Sequence, residues 1–391
     1  MDPSFWSGRR VLVTGHTGFK GSWLALWLQR MGAHVCGLAL APPTQPSLFD
    51  RAGVAAGLVD LRVDVRDADA VRQALTDHPP EIIFHLAAQP LVRLSYADPV
   101  TTYATNVMGT VHLLEAARRV ASLRSVVVVT SDKCYENREW NWGYRESDPL
   151  GGHDPYSSSK GCTELVAAAY RRSFFSTAAT PVGLATVRAG NVIGGGDWAA
   201  DRIVPDILRA LQRDESILVR NPRAIRPWQH VLEPLRGYLT LAQQLTEHPA
   251  DWSEGWNFGP SEEDARPVEE LVERAIALWG SGAWHTPLDR RPLHEARRLK
   301  LDCSQAQERL GWRPRLNLDA ALRLTVEWHR AEQAGVDMRD FTWRQIEEYQ
   351  SLAGRVDSRA PRPSSSSSSS AREHLPCHPP QRSADRAAKA V

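Results

Sequence analysis

Two short stretches of this 391-residue chain gather side chains that exchange protons. The first is Tyr156-Ser157-Ser158-Ser159-Lys160. Four residues apart at the start of an expected helix, Tyr156 and Lys160 share one face. A phenol beside an ammonium is an acid–base pair, because the positive charge favours phenolate and is expected to lower the Tyr156 pKa. The second stretch is Ser131-Asp132-Lys133, a hydroxyl, a carboxylate and an amine in succession. Either pattern alone is weak: Tyr-x-x-x-Lys arises by chance, and an Asp-Lys pair is more often a surface ion pair. Their value lies in the elements that would bring them together.

The valine run that precedes Ser131 (Val126 to Val129) reads as a strand buried on both faces, as in a parallel sheet. In open α/β sheets ligands sit at the carboxyl ends of strands. This strand therefore delivers Ser131, Asp132 and Lys133 to a site edge. Upstream, Arg9–Thr14 reads as a first strand, and Gly15-His16-Thr17-Gly18-Phe19-Lys20-Gly21 as a turn opening a helix. Glycines let the backbone approach a pyrophosphate, and the helix N-terminus offers unpaired N–H groups. The spacing here is G-x-x-G-x-x-G rather than G-x-G-x-x-G. Further strands are expected at 34–40, 58–63, 81–86 and 182–187, with helices at 67–77, 99–120 and 155–172. The third strand runs into Asp64-Val65 and the fourth into Leu86-Ala87-Ala88-Gln89, where small residues allow close approach of a ligand. The second ends without the carboxylate that would bind an adenosine ribose.

This alternation predicts an α/β fold: a doubly wound parallel sheet of Rossmann type with a smaller C-terminal lobe. The expected division is a dinucleotide-binding domain over 1–190, a mainly substrate-binding lobe over 191–355, some segments of which return to the first, and a tail over 356–391. In the lobe, helices are expected at 203–211, 232–245, 268–279 and 318–334, and short strands at 217–219 and 256–258. Arg220 and Arg223 read as a solvated basic loop. The tail contains Ser364–Ser370, a homopolymer with too little apolar surface to offset its ordering entropy.

Composition narrows the function. Forty-seven basic and 46 acidic residues leave a net charge of +1, so no global field favours nucleic acid or an anionic membrane. The five cysteines (Cys36, Cys134, Cys162, Cys303, Cys377) include no Cys-x-x-Cys pair and are odd in number, which argues against a disulfide framework or a metal site. No signal peptide and no apolar run long enough to span a bilayer are visible, so a cytoplasmic enzyme is expected.

The glycine turn, Tyr156-x-x-x-Lys160 and Arg188-Ala189-Gly190-Asn191-Val192 together resemble the extended short-chain dehydrogenase/reductases that act on nucleotide sugars. The resemblance covers residues 8–350. Thr130-Ser131-Asp132-Lys133-Cys134-Tyr135 and His294-Glu295-Ala296 are similar to the branch acting on CDP-glucose, and Lys133 in place of a glutamate argues against the dTDP-glucose branch. The resemblance implies NAD, held by Gly15, Gly18, Phe19, Gly21, Asp64, Val65, Leu86, Ala87, Ala88, Tyr156 and Lys160. It implies a nucleotide-sugar substrate contacted by Gln89, Asn191 and Arg226. It implies catalysis by Ser131, Asp132, Lys133, Tyr156 and Lys160. In that scheme Tyr156 takes the C4 hydroxyl proton, Asp132 protonates the departing C6 hydroxyl, and Lys133 removes the C5 proton. Asp132 and Lys133 would both be neutral, a state that burial favours, or would titrate as an ion pair. Relatives of this kind dimerise through two helices per subunit, here 99–120 and 155–172, so a homodimer or higher homo-oligomer is expected. The alternatives are a dehydratase or 4-epimerase for another nucleotide hexose, or a non-catalytic dinucleotide sensor on the same fold.

Overall fold

A computed structural model describes residues 2–177, 181–287 and 298–352. His294-Glu295-Ala296, Cys377 and Ser364–Ser370 lie outside the described residues. The first six strands are β1 (Arg10–Thr14), β2 (His34–Ala39), β3 (Leu58–Arg62), β4 (Ile82–His85), β5 (Ser125–Val129) and β6 (Gly183–Arg188). With a seventh strand, Gly255–Asn257, they form one parallel sheet in the order β3-β2-β1-β4-β5-β6-(Gly255–Asn257). This is the doubly wound order, with its switch point between β1 and β4. The register aligns Thr14 with His85 and with Leu38, so the ends of these strands reach one edge.

The valine run of β5 shows why the sheet forms. Val127 and Val129 pack into a core with Val11, Val13 and Phe84, while Val126 and Val128 pack into a second core with Leu12, Ile83 and Leu184. Alternate side chains therefore enter opposite faces, and each fully buried valine contributes about 1.5–3 kcal/mol. Helices α1 (Phe19–Arg30), α2 (Leu48–Arg51), α3 (Ala68–Asp77), α4 (Val92–Ala97), α5 (Pro99–Tyr103), α6 (Gly109–Ala117) and α7 (Pro155–Tyr170) belong to this first half. Asp154 caps α7 by accepting from the Ser157 N–H at 3.0 Å, with Pro155 in the first turn. A smaller core (Ile207, Ile217, Leu271, Leu322, Val326) lies among the helices Ile203–Gln212, Val268–Trp279 and Leu318–Gln333.

Three features differ from the sequence reading. The helix expected over 99–120 is α5 and α6 joined by a π-turn, Ala104–Met108, and α7 likewise runs into a π-turn at Arg171–Phe175. The wider turn directs Asn106 inward, where it donates to Ser159 Oγ (2.8 Å) and accepts from the Gln89 N–H (2.8 Å). The short strand expected at 256–258 is Gly255–Asn257, and it pairs with β6 in the main sheet. Among the helices absent from the sequence reading are α4 and Met338–Ser351. The second docks on α1, where Trp343 Nε1 donates to the Leu26 carbonyl at 3.1 Å. Residues up to Leu352 form one unit, to which the helix Leu232–Glu247 contributes Leu235, Leu239 and Ala242 beneath the sheet.

Candidate active site

The strand ends open on a cleft of about 1230 Å³. That exceeds the roughly 300–1,000 Å³ of a site for one small ligand and suits two. Every residue named above as a cofactor, substrate or catalytic contact lines it.

One side is a cradle of backbone. Gly15 has φ +74°, and a Cβ there would stand 2.8 Å from the Ala87 nitrogen. A Cβ on Gly21 would stand 2.1 Å from the Gly15 carbonyl oxygen, so both positions are closed to larger residues. Gly18 caps α1 without a side-chain hydrogen bond, and the first N–H groups of the helix are left to a ligand. Across the switch point, Thr14 Oγ1 accepts from the N–H groups of Leu86 and Ala87, both at 3.1 Å, and meets His85 Nδ1 at 2.7 Å. These bonds hold the turn after β4 against the glycine turn. Asp64, just after β3, lines the cleft and is held below the usual carboxylate range mainly by its hydrogen bonds from Arg66. Asp60 on β3 pairs with His16 and Arg62, which settles the charge near the end of β2. Glycine turn, helix terminus and open β4 turn together fit a dinucleotide.

The other side carries the reactive groups. Asp132–Cys134 is a single 3₁₀ turn in which Asp132 and Cys134 face inward and Lys133 outward. Asp132 is 3 % exposed and accepts from Ser131 Oγ at 3.0 Å. Its carboxylate fills the space where a Cβ on Gly190 would lie, 1.8 Å from Oδ2, so only glycine fits there. Lys133 is exposed to the cleft, with Nζ 6.0 Å from the centre of the Tyr156 ring. The burial expected of both members of this pair therefore holds for Asp132 alone, and each reaches a different partner rather than the other.

Tyr156 also departs from expectation. Burial pushes its phenol up to about 12; a hydrogen bond from Ser131 and the charge of Arg202 oppose the rise, and Asp132 adds to it. Lys160 lies one turn further along α7, its ammonium turned to the sheet. Its Nζ donates to the Val129 carbonyl at 3.2 Å, and burial pulls it down to about 8 while Glu164 pulls it up. Two further cationic residues line the cleft. Arg202 pairs with Asp197 at 3.0 Å, and Lys20, inside the glycine motif, lies 3.4 Å from Tyr238 OH. Burial, with Arg202 and Lys160 nearby, lowers Lys20 to about 7. Its place between Gly18 and Gly21 was the available signal that it lines the cleft.

Among the expected substrate contacts, Gln89 spends its amide within the protein, donating to Thr102 Oγ1 on α5 (2.9 Å) and accepting from the Leu91 N–H (2.6 Å). Asn191 adopts a left-handed backbone, φ +50°, at the end of β6. Arg226 stands on the short strand Ile225–Pro227, which pairs antiparallel with Ala265–Pro267. Arg220, read as a solvated loop residue, is held by Asp201 at 3.3 Å, and so is Arg93 from α4.

The sheet order, the glycine turn and the Tyr-x-x-x-Lys helix facing one cleft are those of an extended short-chain dehydrogenase/reductase. Within that class the chain belongs to the GDP-mannose 4,6 dehydratase family, whose model matches residues 12–325. It is 55% identical over 359 residues to the CDP-glucose 4,6-dehydratase of Salmonella typhimurium, covering 91% of this chain and 100% of that protein. Among solved structures it resembles MoeE5 in complex with UDP-glucuronic acid and NAD (26% identity, TM-score 0.69, 83% of this chain and 99% of that one). It also resembles the dTDP-glucose 4,6-dehydratase of Bacillus anthracis in complex with NAD (20% identity, TM-score 0.68, 84% and 99%).

Proposed function

We propose that this protein is a hydro-lyase, a nucleotide-sugar 4,6-dehydratase that converts CDP-glucose to CDP-4-dehydro-6-deoxyglucose with NAD as cofactor. The observation that carries the reading is the second acid–base set. A 4-epimerase needs one proton-handling group, at C4. This cleft places a buried carboxylate, Asp132, and an exposed amine, Lys133, beside the Tyr156 phenol. Loss of water across C5 and C6 requires such an additional acid and base. The Salmonella typhimurium relative supports CDP-glucose as the substrate, and the NAD complexes of the structural neighbours support NAD. Arg62 is occupied by Asp60, consistent with a cofactor that carries no 2′-phosphate.

Gly15, Gly18, Phe19, Gly21, Asp64, Val65, Leu86, Ala87, Ala88 and Lys160 would hold the cofactor. When bound, NAD would supply the redox chemistry, taking the C4 hydride and giving it back at C6 as C5 regains a proton. Tyr156 takes the C4 hydroxyl proton, and Ser131 hydrogen-bonds the same oxygen. Once C4 is a ketone the C5 proton is acidic, and Lys133 removes it. Asp132 gives a proton to the departing C6 hydroxyl. Arg226 faces the diphosphate, and Asn191 hydrogen-bonds the substrate. The substrate contacts fall mainly in 191–352, the cofactor contacts in 1–190.

The exposed apolar residues Val100, Tyr103, Met108, Leu165 and Phe174, on α5, α7 and their π-turns, form the face through which two copies would pair. Among the described residues no helix is long and apolar enough to cross a membrane. Free Cys36, Cys134, Cys162 and Cys303 agree with a reducing, cytoplasmic setting.

Incubation with CDP-, dTDP-, UDP- and GDP-glucose, followed by mass spectrometry, tests the proposal. Loss of water from CDP-glucose is expected. An epimerised product of unchanged mass, or preference for another nucleotide, overturns it.

A further inference from the structure

Beneath the catalytic groups lies an ion pair that the reaction itself does not use. Glu164 and Arg188 are both 4 % exposed, and the Glu164 carboxylate is fully satisfied. Its Oε1 accepts from Thr130 Oγ1 (2.5 Å) and Arg188 Nε (2.8 Å), its Oε2 from Thr186 Oγ1 (2.6 Å) and Arg188 Nη2 (2.9 Å). Arg188 Nη1 donates onward to Tyr135 OH (2.6 Å), and that hydroxyl donates to Asn257 Oδ1 (2.8 Å). Thr130 precedes Ser131, and Tyr135 follows Cys134. The segment carrying Ser131, Asp132 and Lys133 thus hangs between two residues bonded to one ion pair. Glu164 also stands one helical turn beyond Lys160 and two beyond Tyr156 on α7.

We propose that the Glu164–Arg188 pair is a positioning device that fixes Ser131-Asp132-Lys133 against Tyr156 and Lys160; the proposal rests on the catalytic reading above. Burying two charges yields little net stability, whereas a forked guanidinium–carboxylate pair specifies geometry. Its second effect is on charge. The groups that face Lys160 are Glu164 on the same helix, Cys134 after β5, Lys20 on α1 and His85 at the end of β4, and Glu164 is the counter-charge that supports the ammonium against burial.

The two effects separate by substitution. Glu164→Gln keeps the shape and removes the charge, so the alkaline limb of kcat, set by Lys160 near its pKa of about 8, moves to lower pH. Glu164→Asp keeps the charge but is too short to meet all four donors, so the limb stays and kcat falls. Thr130→Val removes one bond without burying an unpaired charge, and covers the case in which a Glu164 variant does not fold. It is expected to lower kcat roughly ten- to a hundredfold, as misplacement of reacting groups does, with KM nearly unchanged. A merely structural pair would lower the melting temperature while leaving kcat per folded molecule and the alkaline limb in place; that result overturns the proposal. A wild type that dehydrates no nucleotide hexose overturns the functional reading instead. The positioning role then stands or falls on crystal structures of Thr130→Val and Glu164→Gln, where Ser131 and Tyr156 in unchanged places overturn it.

Discussion

The two walls of the cleft are built by opposite means. The wall of β5 and α7 is held by buried bonds: four donors on Glu164, and Ser131 on Asp132. The wall after β6 is held by ion pairs in contact with solvent, Arg93–Asp201 and Arg220–Asp201. Buried bonds fix geometry at a cost in desolvation; exposed pairs are each worth about 0–1 kcal/mol and yield readily. The contrast assigns chemistry to the first wall and adjustable recognition of a charged substrate to the second. Damage to the first should therefore appear in kcat, and damage to the second in KM.

The largest effect is expected at Tyr156. Tyr156→Phe keeps the ring and removes the ionisable hydroxyl, so dehydration should fall by several orders of magnitude, while binding of NAD, measured by calorimetry, changes little. Turnover near wild type would take Tyr156 out of the reaction. Lys133→Met comes next. It spares oxidation at C4 and removes the base for C5. In deuterated water the wild-type product should carry deuterium at C5, whereas the variant should stall at a 4-keto sugar that still holds its C6 oxygen. Product formation at the wild-type rate would exclude Lys133 as the base.

How much of this was legible in the sequence follows the same division. Ser131-Asp132-Lys133 and Tyr156-x-x-x-Lys160 are local patterns, and the valine run before the first announces a buried strand, so the chemical wall could be read directly. Its supports could not. Glu164 and Arg188 are 24 residues apart and meet only because α7 lies over β5 and β6. The π-turn that aims Asn106 inward leaves no trace in an apolar periodicity read at 3.6 residues per turn. Adjacent residues in a 3₁₀ turn point apart, so burial of Asp132 meant exposure of Lys133. Nor does the local pattern reveal that burial outweighs the neighbouring charges and raises the Tyr156 phenol. On the second wall no local pattern marked Asp201, because its partners come from α4 and from a loop near residue 220.

A smaller effect is expected from salt and from Arg226. Ions screen exposed charges over about 10 Å at 0.1 M. Raising ionic strength should therefore raise KM for the nucleotide sugar while kcat holds. Arg226→Gln should raise KM roughly tenfold, the scale of one charge-assisted hydrogen bond, and should flatten the salt dependence. A change confined to kcat would place Arg226 with the chemical wall instead.

The smallest effect is also the most specific to the comparison. Asp201 has a left-handed backbone, φ +61°, a conformation that asparagine also accepts. Asp201→Asn therefore keeps the turn and removes only the charge that engages Arg93 and Arg220. Both pairs are exposed, so stability should change by no more than about 0.5–1 kcal/mol, read as a small shift in denaturant midpoint. With the carboxylate gone, the Arg220 guanidinium at the cleft is better placed to attract a diphosphate. KM for the nucleotide sugar should fall about two- to threefold at low salt, an effect screened away at high salt, and kcat should not move. If kcat falls instead, Asp201 is a structural support for the chemical groups, and the two walls are not independent.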